Sequence, residues 1–184
     1  MILGIVGIGL VVIIIIYCIA TYNGLVGLRN RVKDQWAQID VQLKRRFDLI
    51  PNLIETVKGY AAHEKGTLQA VIDARNQFSS AQTPNEEADA NSLLTKACGK
   101  LFALAESYPD LKANVNFLQL QDELSKVEDK IAVTRQFYND CVLSLNNKIE
   151  MFPSSIVAGM GHFQKETFLE TEGSERANVK VKFN

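Results

Sequence analysis

Basic excess is missing from this sequence. Its 184 residues carry 20 Lys and Arg against 21 Asp and Glu, a formal net charge of -1. With no basic domain and no stripe of cations interleaved with aromatics, nucleic acid is not an expected partner. Cysteine is scarce: Cys18, Cys98 and Cys141 are an odd, widely spaced set with no Cys-x-x-Cys pair. That pattern is neither a disulfide framework nor a zinc site, and each is read as a small buried apolar residue. Histidine is scarcer still. A di-iron bundle needs Glu-x-x-His pairs on facing helices, but the residues three before His63 and His162 are Tyr60 and Gly159. His63–Glu64 lacks the second ligand of a His-Glu-x-x-His motif. Serine-centred nucleophile elbows and glycine-rich phosphate loops are also missing. The expectation is a non-enzymatic protein with no cofactor, no metal and no small-molecule substrate.

Charge is absent altogether from Met1 to Ala20, "MILGIVGIGLVVIIIIYCIA". A helix of that length covers roughly 30 Å, the thickness of a bilayer's hydrocarbon core. Ile2, Ile5, Ile8, Val12, Ile15, Ile16 and Ile19 are its expected membrane-spanning residues. A cleaved signal would need a positive n-region and a small-x-small cleavage site, and no Lys or Arg precedes the run. A lipoprotein cysteine needs a small residue before it, but Tyr17 precedes Cys18. An uncleaved anchor is therefore expected, with a lipidated or cleaved N-terminus as the alternative. Arg29, Arg31 and Lys33 follow the span closely. The positive-inside rule then places the C-terminal domain in the cytoplasm, with these three cations facing anionic headgroups.

Beyond the span, helical periodicity dominates. Leu25, Leu28, Val32, Trp36, Ile39, Leu43, Phe47 and Ile50 recur in an eleven-residue repeat, which gives a nearly straight apolar seam. No proline separates this helix from the anchor, so one long helix is expected to leave the bilayer and end near Phe47. Pro51 disfavours continuation and suits a first turn, so a second helix is expected from Pro51 to about Ser80. The acidic cluster Glu86, Glu87 and Asp89 should open a third helix, broken at Pro109. Phe117, Leu124, Ile131, Tyr138, Leu145 and Phe152 are spaced by seven, with Leu120, Val127, Thr134 and Cys141 three residues later. That is the seam of left-handed supercoiled packing, ending at Pro153. A short helix is expected after it, and "ANVKVKFN" (Ala177 to Asn184) alternates like an extended arm. The expected fold is all-α: an N-terminal transmembrane helix continuing into an antiparallel, up-down four-helix bundle. The expected division is an anchor at 1–21, a bundle at 22–153 and a tail at 154–184.

Two features call for partners. In "KRRFDLIPNLIE", Lys44, Arg45, Arg46, Asp48, Pro51 and Asn52 read as a corner between two helices. The cations serve to cap the first helix and pair within the chain, or to bind an acidic surface of a neighbouring copy or partner, or to touch lipid headgroups. The last is disfavoured, because a continuous helix carries Lys44 roughly 35 Å from the bilayer. Glu64 falls on the apolar seam, and a buried carboxylate needs a cation. Arg45, Arg46 and Arg135 are the candidates for that buried ion pair, with solvent exposure or a ligand role as alternatives.

Two stretches resemble a known family. "YNGLVGLRNRVKDQWAQIDVQLKRRFDLIPNLIETVKGYAAHE" (Tyr22 to Glu64) is similar to the opening half of the bacterial LemA family. "SYPDLKANVNFLQLQDELSKVEDKIAVTRQFYNDCVLSLNNKIEMFPS" (Ser107 to Ser154) is similar to its second half. The resemblance implies an antiparallel helical bundle anchored in a bacterial membrane, in a family that includes a magnetosome protein linked to membrane formation. It implies no enzymatic activity and no cofactor. Span, seams and resemblance together lead to the expectation of a homo-oligomeric scaffold at the bacterial cytoplasmic membrane. The alternative is a monomeric adaptor that presents the Lys44–Arg46 corner, or the acidic 86–89 loop, to another membrane protein.

Overall fold

A computed structural model describes residues 2–61 and 63–169. Six helices account for the regular structure there: α1 (Ile2–Lys58), α2 (Lys65–Ser80), α3 (Pro84–Ala105), α4 (Pro109–Lys112), α5 (Val115–Glu150) and α6 (Ser154–Met160). The protein is all-α, and no strand occurs among the described residues. The arm expected at 177–184 lies outside them.

The packed units do not follow chain order. One, here the anchor unit, joins residues 2–39 to 134–168, and the other, the core unit, is built on residues 40–133. The cause is helix length: α1 and α5 each supply residues to both units, so the 1–21, 22–153 and 154–184 division cuts across the packing.

The expected break at Pro51 does not occur, because α1 runs through it to Lys58. An interior proline costs about 3 kcal/mol. Here its ring faces solvent, and Ile50, Leu53 and Val57 on the opposite side are completely buried. Burial of an aliphatic side chain is worth roughly 1.5–3 kcal/mol each, so three outweigh one missing bond. The chain turns later, at Gly59–Glu64. There the Tyr60 and Ala61 amides both donate to the Val57 carbonyl, and the Glu64 amide donates to Ala61.

In the core unit, α1 and α5 run antiparallel: Arg46 meets Glu128, and Tyr60 meets Asn114 just before α5. Helix α2 returns along α1, with Phe78 against Phe47 at 5.8 Å between centroids and the Arg75 guanidinium 4.0 Å from the Phe47 ring. Helix α3 opens as its acids suggest. Thr83 Oγ1 accepts from the Glu86 amide, and Glu86 accepts from the Gln82 amide, satisfying donors that a helix start leaves free. Phe102 of α3 packs edge-on to Phe117 of α5. The core beneath is Ile50, Leu53, Val57, Val71, Leu94, Leu101, Leu111 and Leu124. Leu93 lies outside it, exposed.

In the anchor unit, Leu25, Val32 and Ile39 of α1 are buried, as are Tyr138, Val142 and Leu145 of α5. The heptad seam of α5 holds through Leu145 but not to Phe152, which lies past the helix end and is exposed. After α6 the chain crosses back as an extended strap. Gly161 and His162 close α6 with the Phe163 amide on Ala158 O and the His162 amide on Gly159 O. This reciprocal pair is a Schellman ending, and it puts His162 at φ 52°. Phe163 then meets the Tyr22 ring at 5.5 Å and the Arg29 guanidinium at 5.2 Å. Asn146 clamps the strap twice, donating to Glu166 O at 2.9 Å and accepting from Glu166 N at 3.0 Å.

Candidate functional site

One lane of α1 carries Leu25, Val32, Ile39, Arg46 and Leu53 at intervals of seven. All five are buried, and Arg46 is only 4% exposed. The lane faces inward, so a guanidinium stands where its neighbours at intervals of seven are aliphatic. Its partners come from two other helices of the core unit. Arg46 Nη1 donates to Asn91 Oδ1 at 2.6 Å and to Thr95 Oγ1 at 2.9 Å on α3, and forms an ion pair with Glu128 of α5. The single Thr95 hydroxyl proton in turn has two acceptors within reach, Asn91 O of its own helix at 3.0 Å and Glu128 Oε1 at 3.2 Å. Asn91 is itself buried. Charge-assisted hydrogen bonds of this kind are roughly twice as strong as neutral ones, which is what allows a cation to stay in the seam. Arg46 Nε remains buried without a partner.

This network forms one wall of a cleft of about 290 Å³ between α3 and α5, lined also by Cys98, Phe102, Gln121 and Leu124. Burial pushes the Cys98 thiol up to about 11, despite the opposing pull of nearby Arg46. A protonated thiol is a poor nucleophile and a poor metal ligand. Among the described residues no group of three His, Cys, Asp or Glu side chains converges. The arrangement is chemically suited to fixing the register of three helices.

The structure redistributes the expected site residues. Lys44 and Arg45 point to solvent while Arg46 points inward, so the triplet is not a corner and does not cap a helix end. Asp48, Pro51 and Asn52 are exposed within the last turns of α1, inside the helix. Glu64 makes no ion pair with Arg45 or Arg46. It stands at the N-cap of α2, half-buried, and accepts a hydrogen bond from Tyr108 Oη at 3.0 Å. Its expected place on a seam followed from a helix starting at Pro51, whereas α2 starts at Lys65. Arg135, the third candidate cation, belongs to the anchor unit. The side chains from Ile5 to Ile19 are exposed apart from partly covered Cys18, and this part of α1 is long and apolar enough to cross a membrane. Arg29, Arg31 and Lys33 are exposed beyond it. Sequence reasoning did not single out Asn91, Thr95 or Glu128.

The LemA family model matches residues 35–183. The chain belongs to the LemA family. Protein LemA of Metamycoplasma hominis is similar to it, at 28% identity over 158 residues, covering 85% of this chain and 72% of that protein. Magnetosome protein MamQ 2 of Paramagnetospirillum magneticum is 22% identical over 175 residues, covering 81% of this chain and 64% of that protein. Magnetosome protein MamQ of Magnetospirillum gryphiswaldense is 22% identical over 170 residues, covering 78% and 62%. The chain thus spans less than two thirds of the length of the two MamQ proteins. In this LemA-family chain both the Arg46 network and the strap clamp at Asn146 fall within the matched residues.

Proposed function

We propose that this chain is a single-pass protein of the bacterial cytoplasmic membrane that works as a self-associating scaffold, with its helical units on the cytoplasmic side. The observation that carries the reading is the unbroken passage of α1. The apolar span and the buried positions Leu25, Val32 and Ile39 belong to one helix, so the anchor and the anchor unit move together. A stiff junction translates the packing of helical units side by side into the packing of their anchors. Gly7 and Gly9 lie on the uncovered surface of the span, and small residues let membrane helices approach closely. Arg29, Arg31 and Lys33 support the cytoplasmic orientation by the positive-inside rule. Similarity to proteins named for magnetosomes supports a role in organising membrane. The Arg46 network, which ties three helices together, suits a structural role.

Disulfide trapping in native membranes tests it. With Cys18, Cys98 and Cys141 replaced by Ala, Gly7→Cys and Gly9→Cys should yield covalent dimers under mild oxidation. Monomer alone at these and at neighbouring positions around the helix would overturn the scaffold.

A second reading is an adaptor for another membrane protein. It is favoured by a cleft of about 490 Å³ beside the α2–α3 loop, lined by Gln77, Gln82, Glu86, Asp89 and Leu93, which suits a basic segment. Charge reversal of Glu86 and Asp89 would then release a co-purifying partner without unfolding the chain.

A further inference from the structure

The span of α1 is not the only apolar surface in the anchor unit. From Met151 to Gly161, "MFPSSIVAGMG", eleven residues carry no charge. They form the corner between α5 and α6 and all of α6. One side of α6 is packed inward through Ser154, Val157 and Ala158. Its other side and the corner before it are apolar and bare: Ile156 and Met160 of α6 are exposed, Met160 at 77%, as are Met151 and Phe152 of the corner, Phe152 at 81%. A short helix that is apolar on both sides, with only one side covered, leaves a face unsuited to water.

Position says what covers it. Phe163, three residues past α6, lies against Tyr22 and Arg29 of α1. The strap then runs to Thr167, whose carbonyl accepts from Tyr138 Oη, and Tyr138 packs on Trp36. The strap therefore runs in the direction of α1 from Tyr22 towards Trp36. Its contacts with α5 run the other way, from Glu150, which pairs with Lys165, to Asn146 and Tyr138. Helix α5 thus descends along α1 towards the span, and the α5–α6 corner is its lower end. A Cβ at Gly161 would stand 3.2 Å from the Tyr22 ring. Tyr22 is two residues past Ala20, the end of the long apolar run, or about 3 Å along a helix. Tyrosines at this level belong to the aromatic belt of a membrane interface.

We propose that the α5–α6 corner is a second membrane contact: Met151, Phe152, Ile156 and Met160 enter the interfacial layer of the same leaflet from which α1 emerges. An apolar surface held beside the bilayer gains by burying its side chains at the boundary between headgroups and acyl chains. Arg29, stacked on Phe163, stands above it, where a cation meets anionic headgroups. Two contacts instead of one would hold the anchor unit at a fixed angle to the bilayer. The inference rests on the reading of α1 as a membrane span.

Tryptophan fluorescence of the full chain tests it in vesicles of phosphatidylcholine and phosphatidylglycerol carrying brominated acyl chains. With the single native tryptophan removed by Trp36→Phe, three reporters are compared: Met160→Trp, Ile13→Trp within the span, and Leu93→Trp on exposed α3. Phe152→Trp serves if Met160→Trp does not fold by circular dichroism. The corner reporter should be blue-shifted and lose emission to bromines near the headgroup more than to bromines near the chain end. Leu93→Trp should lose none. Water-like, unquenched emission from the corner would overturn the proposal. So would a blue-shifted but unquenched signal, which would mean that protein covers the corner. Quenching at Ile13→Trp alone leaves the span standing and rejects the corner, whereas quenching at neither rejects both.

Discussion

Removing the Arg46 guanidinium should destabilise the core unit by about 3 kcal/mol, a figure assembled from what it holds. Arg46→Ala strips Asn91 of its charged donor, and Asn91 is buried at 3% exposure. An amide left unpaired at such a position costs about 1–3 kcal/mol. Thr95 and Glu128 lose their shared cation. Breaking a fully buried pair costs about 3–5 kcal/mol, but the Glu128 side chain is 35% exposed and can turn to water, which puts the sum near the lower end. The double change Arg46→Met with Asn91→Leu should recover more than half of the loss, because it removes the stranded amide together with the charge. Urea titration of the detergent-solubilised chain, followed by far-UV circular dichroism, reads both numbers. A single-variant loss below about 0.5 kcal/mol, ordinary for a surface change, would refute the reasoning that Arg46 is a working member of the seam.

Glu87 gives a pH prediction. Partial burial, and then the nearby Asp40 carboxylate, raise its pKa above the usual 4.5. A raised acid pKa means that the folded state binds more protons, so stability falls as pH rises through 4.5 towards the folded value. Glu87→Gln should remove that fall and stabilise at neutral pH, as parallel melts at acidic and neutral pH would read. At the end of α6, His162 occupies left-handed backbone, so His162→Gly should raise stability by about 1 kcal/mol. Gly161→Ala should lower it, because its Cβ would sit 2.7 Å from the Phe163 ring; thermal melts of the two should shift in opposite directions. Cys98, buried and held as a thiol, should resist maleimide until the chain unfolds, whereas the partly exposed Cys141 reacts first; mass spectrometry of timed labelling decides the order.

Much of the fold was legible because long apolar periodicities survive in the structure. The α5 seam from Phe117 to Leu145 is buried as its sevenfold spacing requires, and the acids at 86 and 87 open α3. Pro51 misled because its rule is local, while burial of Ile50, Leu53 and Val57 is a tertiary effect. That shift of the turn carried Glu64 from an imagined seam to a helix cap. Arg46 was within reach: the interval of seven from Ile39 to Leu53 puts it on the inward lane, and only its neighbours in "KRR" suggested a surface. Asn91, Thr95 and Glu128 were not, since the registers of α3 and α5 against α1 are set by packing between helices. Phe152 continues the heptad in sequence but lies beyond the end of the helix that would have buried it.

The central claim, that this LemA-family chain assembles with copies of itself in the membrane, is tested most directly by the mass of the intact protein after gentle extraction. Mass photometry of the full chain in native lipid should show discrete particles several times the 20.5 kDa chain mass, unchanged on dilution. A single monomeric species at every lipid and protein concentration would contradict it.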